Sequence, residues 1–149
     1  MNDTVRVLLV AGILSAAAVG ALAWRVLGED ASSPERLVGE LRLSRWVAVL
    51  VCALGAMMAG LALGSPTAPV ANLDAAAGLV LVGVAGLILQ REPSEGLFIG
   101  AIACAMHAVW NLAHRPDLLG DAEGLGWYRA GSATYAVCLA AVSYWARRR

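Results

Sequence analysis

Residues 46–64 read WVAVLVCALGAMMAGLALG, nineteen positions without one charged side chain. Wound as an α-helix they cover about 28 Å, close to the hydrocarbon thickness of a bilayer. The uncharged run continues to residue 73, but Ser65-Pro66-Thr67-Ala68-Pro69 sets two prolines in its path. One helix therefore ends near Gly64 and another starts around Asn72 or Asp74, either of which suits an N-cap beside the positive helix end. Cutting the rest of the chain at Arg, Asp and Glu leaves four further apolar runs, 7–24, 75–90, 96–113 and 130–146. Each is short for a span and reaches full length with flanking side chains that sit among the headgroups.

Composition points the same way. Apolar residues make up 60% of the 149 positions and charged residues 15%, whereas about a quarter of a soluble domain is charged. So much apolar surface needs lipid around it. The expected fold is an all-α integral membrane protein, one domain over 1–149. Its five transmembrane helices lie at about 5–27, 45–64, 72–90, 96–114 and 129–146. A short amphipathic interfacial helix is expected at about 33–43, where Ser32 and Glu35 match a capping box around Pro34. Leu37, Val38 and Leu41 would form its apolar face.

Arginines set the orientation. With five spans, Arg25, Arg36, Arg42, Arg45, Arg91, Arg147, Arg148 and Arg149 share one side, and Arg6, Arg115 and Arg129 the other. Eight against three puts the C-terminus in the cytoplasm and the N-terminus outside. The Ala, Gly, Val, Leu and Arg bias suits a GC-rich bacterial genome, hence a bacterial inner membrane. Residues 1–23 also carry a signal-peptide pattern ending in Ala21-Leu22-Ala23. Cleavage there would invert the arginine balance, so the first helix is expected to stay. Arg147, Arg148 and Arg149 read as an anchor that snorkels to lipid headgroups.

Several functions are excluded. All eleven basic residues are arginine, which removes lysine Schiff-base chemistry and the P-loop. A net charge of zero gives no case for nucleic acid. Neither a G-x-S-x-G elbow nor an H-E-x-x-H motif occurs, and Cys52, Cys104 and Cys138, each alone in an apolar run, are expected to be small buried hydrophobes.

The informative segment is the fourth run. At about 100° per residue, Cys104, His107, Asn111 and His114 fall on one stripe of an otherwise apolar helix. Lipid penalises such a stripe, so it should face other helices. His107 lies on the order of 10 Å from the outer end, and an intramembrane histidine is a candidate functional residue. Antiparallel pairing of the last two helices brings Ser132 and Tyr135 to its depth, and Asp74 lies level with Asn111 and His114. A polar pocket of Asp74, His107, Asn111, His114, Ser132 and Tyr135 is expected. A single metal does not suit it, since His107 and His114 stand about 10.5 Å apart along one helix. Haem or quinone centred on His107 is the alternative to plain helix-to-helix hydrogen bonding. No cofactor is required by the sequence.

Small residues mark helix contacts at Ala56, Gly60, Gly64, Gly96 and Gly100. The function expected first is a non-enzymatic membrane subunit that packs against or stabilises a larger assembly, its partners being lipid and other membrane subunits or a second copy. A redox protein with haem or quinone comes next, then a small transporter or channel.

Overall fold

The computed structural model describes residues 3–64, 70–114 and 126–147, with side chains from residue 10 onward. Residues 65–69, where a turn is expected, residues 115–125, and Arg148 and Arg149 lie outside the described residues. Five helices account for the fold: α1 (Asp3–Leu27), α2 (Pro34–Gly64), α3 (Ala71–Leu89), α4 (Pro93–Ala113) and α5 (Gly126–Arg147). Among the described residues there is no strand. Helices α1 to α4 are long and apolar enough to cross a membrane, as in a multi-pass membrane protein. Helix α5 is not in that set. Arg129 and Arg147 with Ser132, Thr134 and Ser143 dilute its apolar content.

The expected interfacial helix is the first third of α2, which runs unbroken for 31 residues. Nothing between Leu41 and Trp46 breaks a helix, and Leu43 and Ser44 are buried against the bundle, so the chain has no reason to bend. Leu37, Val38 and Leu41 remain exposed on the extension. Its cap is Ser33 rather than Ser32. Pro34 takes the first helical position, so the residue before it becomes the N-cap, and Ser33 Oγ accepts the Arg36 N–H at 3.1 Å. Ser32 instead donates its N–H and its hydroxyl to the Asp30 carboxylate at 2.9 and 2.7 Å. Those two bonds hold the Asp30 pKa below its ordinary value. The corresponding stability is present above the usual aspartate range and is lost as pH falls through the lowered value. At the start of α3 neither Asn72 nor Asp74 caps; Val70 does, without a side-chain bond.

Helix α2 is central and touches the other four. Its tightest neighbour is α3, where the backbones meet at Gly55 and Gly78. A Cβ added to Gly78 would lie 2.6 Å from the Gly55 carbonyl oxygen and 2.8 Å from the Ala59 nitrogen. Gly96 and Gly100 let α4 close on α2: a Cβ at Gly96 would meet Ser44 Oγ at 2.5 Å, and one at Gly100 would meet Val47. The other three expected contact positions lie elsewhere. Ala56, Gly60 and Gly64 are exposed, and a Cβ at Gly60 or Gly64 meets nothing within 4 Å among the described residues. The crossing uses Gly55, one residue before Ala56, and that step rotates the face by about 100°. At the end of the bundle holding Arg147, Trp24 and Trp145 pair with ring centroids 6.3 Å apart, and the Arg147 guanidinium lies 4.0 Å over the Phe98 ring. Of the three cysteines expected to be buried, only Cys104 is.

Backbone atoms cannot yield as side chains do. Gly78→Ala is expected to destabilise the protein by about 1–3 kcal/mol, whereas Gly60→Ala should be neutral or stabilising by about 0.5–1 kcal/mol. Unfolding of the detergent-solubilised monomer checks both; equal effects would place the α2–α3 crossing elsewhere.

Candidate polar site

A carboxylate in the first turn of α3 organises one end of the bundle. Asp74 is 5% exposed. Its Oδ1 accepts the Trp110 indole N–H at 2.7 Å, and its Oδ2 accepts an Arg129 guanidinium N–H at 2.7 Å. His114 Nε2 stands 3.1 Å from Oδ1, close enough for an ion pair but off the line of a hydrogen bond. The other ring nitrogen of His114, Nδ1, donates to the Trp110 carbonyl at 2.9 Å, since a carbonyl only accepts. With that proton assigned, the approach of Nε2 to the carboxylate is attractive only when Nε2 is protonated too. Three helix ends are thereby joined: the start of α3, the end of α4 and the start of α5.

The reason lies in solvation. A lone carboxylate or guanidinium at this depth would lose its water without replacement, a penalty of several kcal/mol per ion. Opposing charges in contact, with the indole on the remaining lone pairs, offset that loss. Paired this way, each member becomes strongly dependent on the others.

A second group adjoins the first. His107 Nε2 lies 2.9 Å from Ser132 Oγ on α5 and 3.0 Å from Asn111 Nδ2, while Asn111 Nδ2 also donates to the His107 carbonyl at 2.9 Å. His107 and Asn111 are each 2% exposed. Tyr128, one helical turn before Ser132 and next to Arg129 on α5, is also buried. Among the described residues no three His, Cys, Asp or Glu side chains gather as a metal site.

The expected pocket residues Asp74, His107, Asn111, His114 and Ser132 lie in this region, all buried. Tyr135 does not join them. Three residues after Ser132 it is turned by about 60° around α5, and its hydroxyl meets Ser15 Oγ of α1 at 3.0 Å. Because the Ser15 hydroxyl donates to the Gly12 carbonyl at 2.9 Å, Tyr135 is the donor of that pair. Three residues were missed from sequence: Trp110, Tyr128 and Arg129. Two signals pointed to them. An aspartate at the start of a span needs a counter-charge, and Arg129 opens the helix that folds back toward it. Trp110 flanks the stripe defined by His107, Asn111 and His114, about 40° beyond His114 around α4, with an N–H that needs an acceptor. No protein-family model, curated protein or solved structure matches this chain.

The coupling has a measurable consequence. Asp74→Ala removes the buried carboxylate that faces Arg129 and is expected to destabilise by about 3–5 kcal/mol, while Asp74→Leu combined with Arg129→Met recovers most of that loss. Tyr135→Phe, which removes one half-buried bond, should cost about 0.6–1 kcal/mol. Reversible unfolding in bilayers checks the order; a mild Asp74→Ala would mean that the pair is solvated.

Proposed function

We propose that this chain is a membrane-embedded subunit without catalytic machinery of its own, whose work is to pack against other transmembrane helices. The observation that carries the reading is the outward face of α2. Ala53, Ala56, Gly60 and Gly64 are exposed in sequence along that face, and among the described residues a Cβ at Gly60 or Gly64 would meet nothing within 4 Å. In lipid, helices associate where small residues let backbones close in, so a groove left uncovered by its own bundle suits a neighbour's helix. The N-terminal helix adds to this: only 17% of its 10–27 span is buried within the chain.

In this reading α5 is a fifth span, held in the membrane by its buried Arg129 and Ser132 and by the aromatic residues at its ends. The chain then sits in a bacterial inner membrane with its N-terminus outside. Its arginine-rich end faces the cytoplasm, by the balance of arginines between the two sides. The sequence Arg147-Arg148-Arg149 suits an anchor in the lipid headgroups there, and Trp24 and Trp145 pair at the same end as Arg147. Exposed Leu37, Val38 and Leu41 line the part of α2 that leaves the membrane.

The redox and transport readings have less support. Axial ligation of haem needs a free imidazole lone pair. His107 Nε2 already faces two hydrogen-bonding groups. A transport path usually runs through broken helices near the midplane, whereas α2 and α4 are continuous through their lengths.

Cysteine cross-linking in native membranes tests the proposal. In a chain whose own cysteines are replaced, Gly60→Cys is expected to give a discrete adduct with a partner helix, and Leu79→Cys, equally outward on α3, none. Absence of an adduct at position 60, or equal adducts at both, would contradict it.

A further inference from the structure

Three buried atoms next to the ion network have no hydrogen-bond partner: His107 Nδ1, Asn111 Oδ1 and the Tyr128 hydroxyl. Their residues are 2%, 2% and 7% exposed. Neighbouring groups determine the chemistry of the first two. The Asn111 amide contacts the His107 carbonyl at 2.9 Å and the His107 Nε2 at 3.0 Å, both through Nδ2. Turning that amide over would set Oδ1 against the carbonyl, acceptor against acceptor, so the orientation follows from chemistry. His107 Nε2 is then the acceptor, and the neutral ring holds its proton on Nδ1. What remains unused is one donor, one acceptor and one hydroxyl that can be either.

These groups belong together in space. The His107 and Asn111 side chains touch, Ser132 contacts His107, and Tyr128 stands one helical turn before Ser132 on α5. Hydrocarbon tolerates no such set unless it is matched. We infer that this end of the bundle is a water-binding pocket. Water held there bridges His107 Nδ1, Asn111 Oδ1 and the Tyr128 hydroxyl, beside the Asp74, Arg129 and His114 network. Water suits the set because it donates and accepts at once, and a buried water makes about three hydrogen bonds. A bare cation does not suit it, since one of the three atoms is an N–H donor and Arg129 stands beside the group. The pocket gives the membrane interior a wetted inlet at the end where α3 and α5 begin, and it is independent of any partner packed on α2.

Radiolytic hydroxyl footprinting of the full chain in lipid nanodiscs tests this, because radicals form from the bound water itself. After correction for intrinsic reactivity, His107 and Tyr128 are expected to be labelled several-fold faster than Met58, which is 2% exposed in the apolar core. In Tyr128→Phe, which removes one of the three partners, labelling of His107 should fall while that of Met58 stays. The inference is overturned if His107 and Tyr128 are labelled no faster than Met58. It is equally overturned if Tyr128→Phe leaves the His107 rate unchanged. The wild-type comparison decides on its own should the variant fail to fold.

Discussion

Lipid offers no hydrogen bonds, and a single carboxylate shows how this chain meets that constraint. Asp74 divides its two oxygens among an indole, a guanidinium and an imidazole, and these come from the ends of two other helices. Remove water from the surroundings and each of the four groups needs the others. The helix ends must therefore converge, and the rest of the bundle is arranged around that convergence. Ser132 is brought to His107, Tyr128 is carried inward, and α5 is turned so that Tyr135 reaches α1 instead.

A different device closes the remainder of the molecule. Along α2 the neighbours approach through glycine, at Gly55 and Gly78 for α3 and at Gly96 and Gly100 for α4. These contacts are apolar and short-ranged, and they set spacing without fixing which end of a helix lies where. The charged network supplies that second kind of information. Close backbone packing in one half and ion pairing in the other make a bundle whose apolar spans turn large hydrophobic side chains outward, with a row of small side chains left open on α2.

Much of this was legible in the residues, and the limits are instructive. Uncharged runs located the helices, because lipid compatibility depends on composition, which a sequence states directly. The stripe on α4 gave His107, Asn111 and His114, because helical spacing is regular, and matching depths along antiparallel helices added Asp74 and Ser132. Rotation was harder to read. The small-residue pattern at Ala56, Gly60 and Gly64 left its neighbour open, and the approach of α3 uses Gly55 instead, which stands about 100° away from Ala56 around the helix. Tyr135 was misassigned for the same reason. Arg129 was counted as a loop charge because its burial depends on the aspartate it meets, and that meeting is a property of tertiary structure. The separate interfacial helix was expected from a change in polarity, yet polarity does not break a helix when no glycine or proline intervenes.

The central claim is that a membrane-buried carboxylate ties three helices together through direct hydrogen bonds. Nitrogen and proton NMR of the Trp110 indole in lipid bilayers reads it most directly. The account predicts a strongly downfield indole N–H, slow to exchange with deuterated water, that moves upfield in Asp74→Asn. An indole proton at an ordinary shift, exchanging freely and unaffected by that substitution, would contradict it.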